Sequence, residues 1–409
     1  MELDTLDALL SPAGGEILAA AAALAPTDAT YPACFDRLAK RFPAPLARAA
    51  LDTILLRRKA AAKFAGADRM FFDREALEMA SGDVAARHRA ERFHGFGPVA
   101  DLGCGIGGDA MALTTAGVDV VCVDHDPVRL RMAEANLQAH GRTARFACDD
   151  VLTLPLADCR SAFADPGRRP GGARVLSLDA CEPPVAAIIA RFPAGFRLAV
   201  KVAPGVARSE LARFDADAEF VSVGGELKEC VLWFGDFRTG KPTATILPGP
   251  HTLTGDPGDL YDSGPVEAGG YLYDPDPAVV RADLMLELAT RLAARPLEVV
   301  YALLTSATFA LTPFATAYRI EDVLPLDAKV VGGWLRQRGV GRVTVLKRGM
   351  DVDVDALARK WRTDSDESRV VVLCRAGGRR VAVICTVHHR DTQGTEETTG
   401  RVRTQNDRV

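Results

Sequence analysis

Asp101, followed within seven residues by Gly103, Gly105, Gly107 and Gly108, is where this 409-residue chain concentrates its chemistry. The pattern reads as a short strand ending at Asp101 and breaking into a glycine-rich turn. A helix from Asp109 to about Ala116 and a second strand, Val118–Val123, closed by Asp124, complete one βαβ unit. Glycines let such a turn adopt positive φ and approach a ligand closely. An acid at the end of the second strand can accept hydrogen bonds from ribose hydroxyls. A dinucleotide site wants G-x-G-x-x-G around a pyrophosphate. Here the spacing is G-x-G-x-G-G, and the Asp101 carboxylate would repel a pyrophosphate.

A carboxylate in that place suits the amino group and sulfonium of S-adenosylmethionine. The segment resembles the first motif of class I S-adenosylmethionine-dependent methyltransferases, D-x-G-C-G-x-G in many members. The resemblance implies cofactor-binding roles for Asp101, Gly103, Cys104, Gly105, Gly107, Asp124 and His125. It also implies an acid on the adenine amino group after the third strand (144–148), where Asp150 stands with Asp149 beside it; a turn or N-cap acid is the other reading.

The fourth strand, Ser161–Ala164, runs into Asp165-Pro166-Gly167-Arg168-Arg169-Pro170. Amine-directed methyltransferases carry Asp/Asn-Pro-Pro and an aromatic at this place. The resemblance implies catalytic roles for Asp165 and Pro166, which would orient the lone pair of a target nitrogen. Methyl transfer is an in-line displacement from an activated sulfonium, so positioning and electrostatics are what a protein supplies. This chain departs from the motif, with Gly167 for the second proline and Arg168 for the aromatic. A guanidinium can stack on a base or fork onto a phosphate. Arg168, Arg169 and Lys201, at the end of a fifth strand (196–202), are therefore expected to hold an RNA substrate.

Positioning these residues requires an α/β, Rossmann-like core over residues 68–237. The expected sheet is seven-stranded and mostly parallel, closed by a hairpin of 220–223 and 230–234 and ending near Phe237. Apolar spacing through Phe35, Leu38, Phe42, Leu46, Leu51 and Leu55 predicts a helical region over 1–67. Its basic cluster of Arg57, Arg58, Lys59 and Lys63 reads as a solvated helix face. Phe71, Phe72 and the 79–81 turn are candidates for a lid over the cofactor. Residues 238–326 read as an irregular connector holding one helix, 278–294, in which Tyr271 and Tyr273 pin a loop to a core.

From residue 327 to 391 a small module is predicted, with helices at 330–338 and 353–360 and strands at 342–347, 370–375 and 380–387. It is similar to the THUMP-like C-terminal domain attached to a bacterial methyltransferase family, and the core is similar to the trimethylguanosine synthase branch. THUMP proper binds RNA, so the likeness implies phosphate contacts for Arg336, Arg338, Arg342, Lys347 and Arg348. The tail, 392–409, is polar and expected to be disordered.

Composition narrows the function. Residues 331–409 hold sixteen basic and ten acidic residues within a chain of net charge −4, a hint of a polyanionic partner. The nine scattered cysteines lack C-x-x-C spacing, so reduced thiols, no metal and a cytoplasmic location are expected. No apolar run is long enough to span a membrane. The leading reading is an enzyme that methylates RNA on a base nitrogen. A methyltransferase of a small molecule or protein, and a non-catalytic protein binding S-adenosylmethionine or RNA, remain as alternatives.

Overall fold

The computed structural model describes residues 1–168, 177–260, 262–298 and 301–387, with the backbone alone for Arg168 and Tyr301. The expected disordered tail and Arg169 lie outside the described residues. The chain forms two compact units, Met1–Ala218 with Lys228–Gly240, and Glu219–Leu227 with Lys241–Val409.

The first unit opens with four helices, α1 (Leu3–Leu10), α2 (Pro12–Ala23), α3 (Tyr31–Leu38) and α4 (Ala44–Ala60). Two short helices follow, α5 (Arg74–Met79) and α6 (Asp83–Glu91), and lead into β1 (Val99–Leu102). The glycine turn and α7 (Gly108–Thr115) connect β1 to β2 (Val120–Asp124). Asp126 caps α8 (Pro127–Ala139), accepting from the Val128 and Arg129 amides at 2.8 and 3.2 Å. Proline at the first helical position costs nothing there. Next come β3 (Arg145–Cys148), β4 (Ser161–Ala164), α9 (Val185–Ala190) and β5 (Arg197–Val202). Strands β1, β2 and β4 are buried along their whole length, as expected of parallel strands covered by helices on both faces.

The closing hairpin is β6 (Asp217–Val223) and β7 (Glu226–Phe234), with β7 antiparallel to β5. The sheet does not stop at Phe237. Strand β8 (Thr243–Leu247) pairs in parallel with β6, and β9 (His251–Thr254) pairs antiparallel with β8. The order is β9-β8-β6-β7-β5-β4-β1-β2-β3, nine strands where seven were expected. Short strands bracketed by Gly, Pro and Thr look irregular in sequence, because pairing partners and not intrinsic preference decide them.

The stretch read as an irregular connector also supplies strands to a second sheet. In the second unit, β10 (Tyr271–Pro275), β11 (Arg295–Glu298), β12 (Tyr301–Ser306) and β13 (Ala315–Pro325) join β14 (Val340–Lys347), β15 (Glu367–Ala376) and β16 (Arg379–Val387). Their order is β11-β12-β10-β13-β16-β15-β14. The single helix expected over 278–294 is two, Pro277–Arg281 and Met285–Arg291, broken where Asp283 takes φ 62°. Aspartate is among the few side chains that tolerate that conformation. Tyr271 and Tyr273 are buried, as expected.

The basic cluster at the end of α4 is only in part a solvated face: Arg58 and Lys59 are exposed, but three of the four cations are also engaged with carbonyls. Arg57 donates to the Met70 carbonyl at 2.8 Å, Arg58 to the Pro26 carbonyl at 2.5 Å, and Lys63 to the carbonyls of Leu77, Glu78 and Ala80 at 2.6, 3.0 and 3.3 Å. These cations satisfy carbonyls that helix ends and turns leave open. Phe71 and Phe72 are buried in the core, so they form no lid; Met79, exposed beyond them, does line the cleft described below.

Asn136, on the inner face of α8, ties this region to the glycine turn. Its Oδ1 accepts from the Phe71 amide at 2.7 Å, and its Nδ2 donates to the carbonyls of Phe71 (3.0 Å) and Ile106 (2.9 Å). Asn136→Ala removes three buried hydrogen bonds and leaves their partners unsatisfied, which costs about 3 kcal/mol. Urea unfolding should show that loss as a lowered midpoint; a change under about 0.5 kcal/mol would contradict the clamp.

Candidate active site

The carboxyl ends of β1, β2 and β4 open on one cleft in the first unit. Its walls include Gly103, Cys104, Gly105, Asp124, His125, Arg129, Asp165 and Pro166, with Ala76 and Met79 of α5 on the other side. Ligands bind at this end of open α/β sheets. The glycine turn is built as its spacing implied. Gly107 has φ 82°, and a Cβ there would sit 2.9 Å from the Leu137 side chain and 3.1 Å from the Ala133 Cα. Only glycine lets α8 approach so closely.

Asp101 is buried, and its Oδ2 has no hydrogen-bond partner. Burial, followed by the nearby Asp109 and Asp165, pushes its carboxyl well above the usual carboxylate range. An orphaned buried acid directly before the turn that lines the cleft fits a cationic ligand group, as the amino and sulfonium groups of S-adenosylmethionine are. Asp124 is also buried and already partnered: Oδ2 accepts from the Gly105 amide at 2.8 Å and Oδ1 from the Asp126 amide at 2.9 Å. It thus fixes the turn against β2, while each carboxylate oxygen keeps a lone pair for a hydroxyl. His125 is exposed at the cleft edge. The Cys104 thiol is raised well above its usual range, first by a hydrogen bond with Cys122 and then by burial, so it is no nucleophile.

Asp149 and Asp150 stand apart from this group. Both are exposed, neither lines the cleft, and the Asp150 Oδ1 accepts from the Leu152 amide at 2.8 Å. The structure thus places Asp150 in its own turn.

Asp165 is only partly exposed, and its Oδ2 accepts from Lys201 Nζ at 2.5 Å. Lys201 therefore reaches the same rim but holds a carboxylate, where a phosphate was expected. Burial pulls the Lys201 ammonium down, but Asp165, Glu229 and Asp109 outweigh it and raise it. Gly167 and Arg168 pair antiparallel with Glu182 and Cys181, a two-stranded ribbon where the motif's second proline and aromatic would stand.

Behind the cleft lies a network that the sequence reading did not contain. Arg89, buried on α6, donates to Asp109 at the start of α7, to Glu229 on β7, and to Ser81 Oγ at 3.1 Å. Burial lowers its basicity, but Asp109 and Glu229 outweigh that and hold the guanidinium firmly charged. The one visible signal was Glu229, an acid heading the apolar run 230–234.

The basic residues of the second unit divide. Arg348 forks onto Asp274 at 2.6 and 2.7 Å, and Lys347 donates to the Val352 carbonyl at 3.2 Å, so both are engaged within the fold. Arg336, Arg338 and Arg342 are exposed, with Arg338 stacked on Trp334 at 3.9 Å and Arg342 paired to Asp366 at 2.6 Å.

Comparison with known proteins agrees with this geometry. Residues 99–164 match a methyltransferase domain, residues 315–387 a THUMP domain-like family, and residues 2–60 a domain of unknown function. A Mycobacterium tuberculosis protein named as an uncharacterized S-adenosylmethionine-dependent methyltransferase is 33% identical over 337 residues, 80% of this chain and 92% of that protein. A crystal structure of a candidate methyltransferase from Porphyromonas gingivalis W83 shares the fold, with TM-score 0.74 and 20% identity, over 92% of this chain and 99% of that one. A protein of Parasynechococcus marenigrum named as an uncharacterized RNA methyltransferase is 34% identical over 93 residues, 22% of this chain and 20% of that protein.

Burial raises the Asp101 carboxyl in the free protein, whereas a bound cation favours the carboxylate. Binding of S-adenosylmethionine should therefore expel a proton, and affinity should rise with pH until Asp101 ionises unaided. Calorimetry in buffers of different ionisation enthalpy reads that proton directly. Asp101→Ala should abolish the release and weaken binding about 100-fold. Unchanged affinity in the variant would contradict the assignment.

Proposed function

The chain belongs to the S-adenosylmethionine-dependent methyltransferases, and from that premise we propose that it methylates RNA. S-adenosylmethionine is its methyl donor. Asp101 and the glycine turn face its charged end, Asp124 its ribose, and Asp165 the acceptor.

The observation that carries the RNA reading is the THUMP domain-like module at 315–387, which presents Arg336, Arg338 and Arg342 to solvent. Guanidinium groups on one exposed stretch of a domain are the electrostatic footprint of phosphate recognition. A small-molecule substrate would give this module no task. The Asp165-Pro166 pair taken alone favours a base nitrogen, as in amine-directed enzymes. Lys201 seated on Asp165 weighs against it, since the carboxylate is then shared with a cation.

Transfer of labelled methyl from S-adenosylmethionine to total bacterial RNA, beside protein and metabolite extracts, tests the reading. Label should enter RNA, and Asp165→Ala should lower transfer by about 10²-fold or more while calorimetry still shows donor binding. Label confined to the other extracts would contradict RNA as substrate; equal loss of donor binding would contradict the role of Asp165. Replacing Arg336, Arg338 and Arg342 together by alanine should weaken RNA binding and flatten its salt dependence by about two units of log–log slope for a single strand. An unchanged slope would remove these arginines from the interface.

A further inference from the structure

Resting on that reading of an RNA substrate, we propose that the methyl acceptor is a hydroxyl oxygen, a ribose 2′-hydroxyl, held between Asp165 and Lys201. Three observations carry this inference.

The carboxylate at the end of β4 is not a free acceptor. Lys201 Nζ occupies Oδ2 at 2.5 Å, and Oδ1 has no hydrogen bond among the described residues. An acceptor group placed there meets an ammonium and a carboxylate together. An amine nitrogen turns positive as it takes a methyl group, so a neighbouring ammonium opposes it. A hydroxyl oxygen sheds its proton during attack, and the same ammonium stabilises the charge that develops.

The cation is also built to stay a cation. Asp165, Glu229 and Asp109 face Lys201 and outweigh its burial, with Arg89 also near. Lys63, fixed on the carbonyls of Leu77, Glu78 and Ala80, is near enough to Lys201 for the two ammonium groups to repel, which adds positive potential but works against the charge on Lys201.

The cleft, finally, has no Phe, Tyr or Trp among its described lining residues, and its one aromatic ring is the exposed imidazole of His125 at the edge. Enzymes that modify a base take it from the stack and sandwich it between aromatic or apolar side chains. A sugar hydroxyl needs no stacking platform.

In the transfer, the hydroxyl donates to Asp165 Oδ1 and accepts from Lys201 Nζ. A lone pair of that oxygen forms the O–C bond as the C–S bond of the donor breaks, with its electron pair remaining on sulfur. The proton passes from oxygen to the Asp165 carboxylate. From this partly exposed side chain it leaves to solvent. Nothing is oxidised or reduced.

RNA labelled by the full-length protein and then hydrolysed in alkali distinguishes the acceptor atoms. A 2′-O-methyl group blocks attack on the neighbouring phosphate, so label should appear in alkali-resistant dinucleotides. Label in mononucleotides overturns the proposal. Where label enters metabolites or protein instead of RNA, the RNA reading and the ribose assignment fail together, while hydriodic acid still decides whether the acceptor is a hydroxyl. Release as methyl iodide from label that survives mild alkali, which removes methyl esters, supports a hydroxyl, and retention on nitrogen overturns it. Lys201→Met should lower transfer about 100-fold with donor binding retained, and Lys201→Arg should restore part of it. In the methionine variant the loss should fall on kcat, with the KM for RNA little changed. An equal fall in donor binding and in the unfolding midpoint would mark a lysine that only supports the fold and overturn the proposal.

Discussion

Acids converge on the carboxyl ends of the parallel strands, and keeping them there is the constraint on which the site depends. Asp101, Asp109, Asp124, Asp165 and Glu229 come from separate strands and a helix start, and Asp101, Asp124 and Glu229 are buried. Two cations offset them. Arg89 joins Asp109 to Glu229 and so ties α6, α7 and β7 together. Lys201 neutralises Asp165. An uncompensated buried charge costs about 3–5 kcal/mol, so neither cation can be exchanged for apolar packing without loss. Asp101, whose Oδ2 has no hydrogen-bond partner and whose carboxyl is pushed up by burial, is the acid left for a cationic ligand.

The surrounding fold converts this balance into a rigid cleft. Asn136 holds the segment at Phe71 to the glycine turn, and Asp73 caps α5 while also meeting Arg129 of α8. Lys63 holds the other end of α5. The helix facing the strand ends is therefore fixed at both termini, and the N-terminal helices are part of how the site is made.

What could be read in the sequence followed from local rules. Positive-φ glycines, acids at strand ends, Pro127 after an N-cap acid and the helices and strands of residues 328–387 need no knowledge of distant partners. The Arg89 network and the Lys201–Asp165 pair join residues 140 and 36 positions apart, and no local pattern announces them. The same limit explains β8 and β9, where short Thr-rich segments become strands because β6 offers an edge. It explains the cluster of Arg57, Arg58 and Lys63 as well: a basic helix end looks solvated until the carbonyls it meets are known. Asp150 is likewise an acid in the expected place, with one carboxylate oxygen accepting from the Leu152 amide of its own turn.

The most direct measurement is a crystal structure of the protein with S-adenosylhomocysteine. The account predicts the amino group on Asp101 Oδ2, ribose hydroxyls at Asp124, and the sulfur facing the space between Asp165 Oδ1 and Lys201. A ligand that leaves Asp101 unpartnered, or turns its sulfur away from the Asp165–Lys201 pair, would contradict it.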